Sequence, residues 1–353
     1  MDDRTFIRRT LIVIALLALV FLFWQLRTLL LMVFGAVVVA TIFRALAERI
    51  VKLTRIPMGV AVGLSVVLVL GSIGLVAALF GAQISQQAST LGEALPKAWT
   101  AFETRVGEMG LGEQLKQMVG STKSSGGGAF SGIGQIVMSL GSGLADTLVV
   151  IFGGIFLAAQ PHFYKVGATK LVPERKRELV SDAMDDSERA LRLWLKGQLI
   201  AMLVVGTMTG FGLWMLGVPS ALVLGLIAGL LEFVPFAGPV IAAVPAILLA
   251  LAVSPDLALW VVILYVVVQQ LEGYVLQPLV QQYAVELPGV ILLFALIGFG
   301  MLFGTLGIIV AAPLTVVTYV LVKKLYVREA LGTETPIPGE DKAEHDDLEH
   351  EAR

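Results

Sequence analysis

Long apolar runs separated by short polar breaks constrain this chain more than any other feature. Leu11–Trp24, Leu29–Phe43, Gly59 to Ala82, Gln135–Ala159, Leu199–Val218, Leu257–Leu276 and Leu287–Val322 carry almost no charge. A helix rises about 1.5 Å per residue and a hydrocarbon core is about 30 Å thick, so about 20 such residues cross it. The chain has 353 residues, 57% of them apolar and 15% charged, and that surplus cannot hide in a core of ordinary size. The expected fold is all-α: a polytopic integral membrane helical bundle, in contact with lipid over most of its length.

Other classes fall away. A net charge of −2 excludes a nucleic-acid binder working by bulk charge. With no cysteine there are no disulfides, thiolate zinc sites or thiol catalysis. The three histidines, His162, His345 and His350, lie outside the long apolar runs, so no histidine metal site is expected in the membrane. The chain has no P-loop, no H-E-x-x-H and no G-x-S-x-G, so neither ATP-driven pumping nor a common hydrolase is expected, and no cofactor is called for.

The runs divide the chain. Residues 1–82 are expected to hold N-terminal transmembrane helices. Arg4, Arg8 and Arg9 before Leu11 resemble a signal peptide, but no small-residue cleavage site follows, which favours a retained helix. Gln25–Thr28 reads as a loop between the first two spans. Gly59 and Gly63 form a small-xxx-small pair of the kind that lets helices approach closely. Residues 83–134 have apolar positions at steps of three and four and balanced charges, predicting an extracytoplasmic amphipathic helical insert. Residues 135–160 are a further span, and 161–198 a basic, cytoplasmic amphipathic helix. Residues 199–328 form a transmembrane core with broken hairpins, and 329–353 an acidic, disordered tail. Lys and Arg favour cytoplasmic loops, and their clusters alternate correctly if both termini are cytoplasmic. That gives about eight crossings plus one re-entrant hairpin. Ten crossings have the same parity.

The hairpin is the chemically informative stretch. Ser220–Val253 is apolar but interrupted by Glu232, Pro235, Gly238 and Pro239, with Pro245 further on. Each half reaches only about 20 Å, too short to span. Irregular backbone at membrane depth is tolerated only where protein buries it or a wet cavity meets it. A carboxyl there costs about 2.5–3.5 kcal/mol at helix centre unless paired, wetted or protonated, so Glu232 is the leading candidate for solute or ion coupling. Gln269, Gln270, Glu272, Gln277 and Pro278 form a second group. Gln269 and Glu272 share a helix face by spacing, and amides both donate to and accept from a hydroxylated solute. Asp146, inside the fourth span, is a candidate for pairing across helices or lining a wet path. Leu287–Val322 is long enough for two short helices, with Gly298, Gly300, Gly304 and Gly307 at the bend. Gly238–Pro245 and Gly307–Pro313 also echo one another, a pattern of corresponding interrupted segments.

Four motifs in order resemble the bacterial autoinducer-2 exporter (AI-2E) family: Glu232-Phe-Val-Pro-Phe-Ala-Gly-Pro239, Gln270-Leu-Glu-Gly-Tyr-Val-Leu-Gln-Pro278, Leu287-Pro-Gly, and Gly304-Thr-Leu-Gly-Ile-Ile-Val-Ala-Ala-Pro313. The resemblance implies a multi-spanning inner-membrane permease. Some members are associated with export of a small hydroxylated signal, others with sodium/proton exchange. The favoured expectation is a secondary transporter of a small polar solute, with H+ or Na+ as candidate coupling ions and a homo-oligomeric state allowed. A sodium (lithium)/proton antiporter and a non-transporting membrane scaffold are the alternatives.

Overall fold

The computed structural model describes residues 3–75, 144–276 and 287–337, with isolated helical positions at 78, 81, 86 and 100. The rest of the 83–134 insert, residues 135–143, Gln277, Pro278 and the tail from residue 338 lie outside the described residues. Among those described, every regular element is a helix.

Asp3–Gln25 (α1) and Arg27–Thr54 (α2) are joined at Leu26 without a loop. Leu26 N–H donates to Leu22 O and Leu30 N–H to Leu26 O, both at 2.9 Å, and a single turn residue separates the two helices. The loop expected at Gln25–Thr28 is therefore absent. Those residues are polar but include neither proline nor glycine, and polarity alone does not end a helix. Met58–Leu75 (α3) follows a sharp turn at Arg55, whose φ is 57°. Leu144–Ala159 (α4) packs on α2 and is followed at 90° by Pro161–Thr169 (α5).

Arg177–Met215 (α6) is one continuous helix, so the boundary drawn near residue 198 between a cytoplasmic helix and a span is not a break. Ala221–Leu231 (α7), Ala237–Val253 (α8) and Pro255–Leu271 (α9) come next, and a π-helical turn at Glu272–Leu276 extends α9. Gly289–Leu321 (α10) runs into a second π-helical turn, Val322–Arg328.

Small residues set the closest packing. A Cβ on Gly225 would lie 2.5 Å from Gly210 Cα, and one on Gly229 would lie 3.0 Å from Gly206 Cα. Helices α6 and α7 thus meet backbone to backbone through two glycine pairs at four-residue spacing. The pair singled out by sequence, Gly59 and Gly63, has nothing within 4 Å of either Cβ position.

Helix α10 is a hairpin. Gly304 has φ 66° and ψ −146°, outside the helical region. A Cβ on Gly307 would sit 2.1 Å from Phe299 O, whereas residues eight apart in a straight helix are separated by about 12 Å. Leu292 and Leu296 of the first arm share a core cluster with Ala311, Ala312 and Val316 of the second. Two short helices bent among the glycines is what the sequence predicts.

Among the described residues, five helices are long and apolar enough to cross a membrane by length and composition, counting α10 with its bend as one, or six with the bent α4–α5 pair as one span. The chain is an all-α, multi-pass membrane protein. The outward faces agree, since Phe156, Leu203, Trp214, Trp260 and Phe294 are all exposed.

Candidate functional site: a buried carboxyl pair at a hairpin tip

Helices α7 and α8 have 11 and 17 residues, so they reach only about 16 and 25 Å. Between them the chain leaves the helix at Glu232. Ala237 N–H donates to Pro235 O at 2.8 Å across Phe236, whose φ of 65° and ψ of −49° make a γ-turn of the rare positive-φ kind. Such geometry is strained for a bulky side chain and persists only where surrounding structure imposes it. Pro239 falls in the first turn of α8, where a missing N–H costs nothing. Gly238 is obligatory, because a Cβ there would lie 2.0 Å from Leu231 O. Phe233 lies edge-on to Trp194 of α6, with ring centroids 5.8 Å apart, so the irregular backbone is packed against protein.

Glu232, only 2% exposed, ends α7, and Glu272, 8% exposed, opens the π-helical turn after α9. Their carboxyl groups are neighbours, close enough to interact directly. An ionised carboxylate accepts hydrogen bonds but cannot donate one, so a hydrogen bond between the two would need a proton on one partner. Without it, two like charges would repel at short range in a poorly screening interior.

Two amides complete the cluster. Gln269 Nε2 donates to Glu272 Oε2 at 3.0 Å, and Gln198 Nε2 of α6 donates to the Glu232 backbone carbonyl at 2.5 Å. Glu232 Oε2 is buried with no hydrogen-bond partner among the described residues. Tyr265 of α9 donates to Ala242 O of α8 at 3.1 Å, tying the two helices together beside the site.

The structure brings together Glu232, Glu272 and Gln269, with Pro235, Gly238 and Pro239 shaping the turn. Gln270 is exposed on α9. Asp146 is exposed in the first turn of α4, which packs on α2 and α5, away from the carboxyl pair. Pro245 and Pro313 are buried inside α8 and α10. Gln277 and Pro278 lie outside the described residues. Gln198 went unremarked in the sequence. It lies on a different helix from Glu232, and no spacing rule links two helices. A groove of about 880 Å³ between α6 and α7, lined by Gly206, Gly210, Trp214 and Gly225 among others, includes neither carboxyl.

Residues 11–326 match the family described as AI-2E family transporters. The chain belongs to the AI-2E transporter family. Bacillus subtilis YueF is 25% identical over 83% of this chain and 83% of its own length. The AI-2 transport protein TqsA of Escherichia coli is 24% identical over 82% and 84%. Bacillus subtilis YrrI is 36% identical over 151 residues, and the match spans 43% of each chain. In this AI-2E transporter the carboxyl pair and both hairpins fall inside the matched region.

Proposed function

We propose that this AI-2E transporter is a secondary permease for a small polar solute in the bacterial inner membrane, with the Glu232–Glu272 pair as its proton-linked coupling site. The observation that carries this reading is the contact between two buried carboxyls at a non-helical hairpin tip. A pair that holds a proton when closed can release it when a donor group or a cation takes its place. The unpartnered Glu232 Oε2 is an acceptor for such a group. The relative TqsA bears the name AI-2 transport protein, which makes autoinducer-2 the first solute to test. Basic clusters at Arg44–Arg55, Lys165–Lys196 and Lys323–Arg328 support cytoplasmic termini.

The same acidic pair favours sodium (lithium)/proton antiport as a second reading, because carboxylates are hard oxygen ligands. One experiment separates the two. Purified chain in proteoliposomes is challenged with autoinducer-2, Na+ or Li+ while lumenal pH is recorded. Solute flux abolished by Glu232→Gln supports the permease. Cation-driven proton movement without organic solute supports the antiporter. Unchanged flux in Glu232→Gln and Glu272→Gln would remove the pair from either mechanism.

A further inference from the structure

The last described residues do something the sequence did not announce. The π-helical turn Val322–Arg328 ends with Leu331 N–H on Tyr326 O at 3.0 Å. Gly332, with φ 63°, then reverses the chain, and Thr333 N–H returns to Val327 O at 3.1 Å. From there the strand-like segment 333–337 runs back along the turn it came from. Arg328 Nη2 donates to Thr335 O at 2.7 Å and Lys323 Nζ to Pro336 O at 3.0 Å. Lys324 pairs with Asp186 of α6 and holds the turn against that helix.

Among the described residues of the segment, one side chain is buried. Residues 331–334 and Pro336 are exposed and Thr335 is half-buried, but Ile337 is 3% exposed. It belongs to the core cluster that contains Leu191, Trp194 and Leu195 of α6 and Leu292 and Val316 of α10. Phe233 and Val234, the residues directly after Glu232, pack against that same cluster. The tail expected from residue 329 is exposed over most of its described part, with Ile337 the buried exception. A lone isoleucine in a polar, proline-rich stretch has no periodicity to betray it.

We infer that residues 333–337 are an intramolecular latch, with Ile337 seated in an apolar notch that closes the core beside the Glu232 hairpin tip. A mostly exposed strap anchored by one buried side chain, with hydrogen bonds to its backbone, is suited to reversible docking. Pro336 keeps Thr335 extended before docking, which lowers the ordering cost. Release of Ile337 opens the packing against which Phe233 and Val234 rest, and so exposes the tip.

The chain has no cysteine, so a single introduced thiol reports on this directly. Val234→Cys is labelled with a maleimide in the full-length protein in detergent, with Leu171→Cys, at a fully exposed position, as the folding and reactivity control. Adding Ile337→Asp is expected to raise the Val234→Cys labelling rate at least tenfold, while Ile337→Val leaves it slow. A chain ending at Gly332 should label as fast as Ile337→Asp. Added peptide Thr-Glu-Thr-Pro-Ile-Pro should slow it again, and the same peptide with Asp for Ile should not. Equal labelling with and without the strap overturns the latch, and so does failure of the peptide to protect. Closure is read here by labelling alone. The permease reading is judged separately by flux, so either can fail without the other.

Discussion

Glu232 and Glu272 meet carboxyl to carboxyl although they sit on different elements, one closing α7 and the other opening the turn after α9. Each is placed by a local irregularity, a γ-turn hairpin tip in one case and a π-helical widening in the other. The contact joins the hairpin to α9 through two acidic groups, so a change in their charge changes how the two elements hold each other.

The first prediction concerns that pair. Flux by the wild-type chain should vary with pH, because two adjacent buried carboxyls repel unless one of them holds a proton. Glu232→Gln should flatten the profile and lower flux at least tenfold, since an amide still fills the space but cannot exchange a proton. Proteoliposome flux measured across a pH series checks it, and a profile that keeps its shape in the variant would count against the shared proton.

The second concerns the hairpin turns. Gly238→Ala and Gly307→Ala each place a Cβ about 2 Å from a backbone carbonyl oxygen, Leu231 O and Phe299 O respectively. Backbone must move, and each should cost at least about 1–3 kcal/mol. Gly59→Ala meets open space and should change stability by no more than about 0.5 kcal/mol. Thermal unfolding in detergent compares the three.

The third concerns Gln198. Its amide satisfies the Glu232 carbonyl at a point where α7 has ended. Gln198→Leu should destabilise by about 1–3 kcal/mol, the cost of leaving a buried acceptor unpaired. Gln198→Asn, too short to reach, should behave similarly. Denaturation midpoints of both variants test this, and wild-type values would show that the bond contributes little.

The fourth concerns Arg192, which bridges Glu48 of α2 and, at 2.8 Å, Glu188 of α6. The groups are about one-third exposed, so water screens them. A double-mutant cycle on Arg192→Ala and Glu48→Ala should give a coupling of about 0.5–1 kcal/mol, falling with added salt. A salt-independent coupling would mean that packing, not charge, joins the helices there.

Much of this was legible from residue types. Short apolar halves around Glu232, Pro235, Gly238 and Pro239 specify a hairpin, because neither half can span and the prolines cannot continue a helix. The glycine density near residue 304 specifies the second bend. Three-residue spacing put Gln269 with Glu272. What escaped is what depends on distance across the fold. Gln198 meets Glu232 only once α6 packs on α7. The Gly206/Gly210 and Gly225/Gly229 spacings were readable as close-packing motifs, but the same pattern at Gly59/Gly63 meets no partner among the described residues. Composition cannot say which copy finds a partner. Gln25–Thr28 misled because polarity stood in for a helix stop.

The fold of α10 on itself carries a topological consequence. By length, 289–321 is one apolar stretch, yet its arms lie side by side with the turn at Gly304. A segment that doubles back delivers the chain to the face it left. Gly289 and Leu321 therefore share a side, and this element leaves the parity of the path unchanged. The side on which Leu321 stands is decided upstream of residue 289, despite the 33 apolar-rich residues between them.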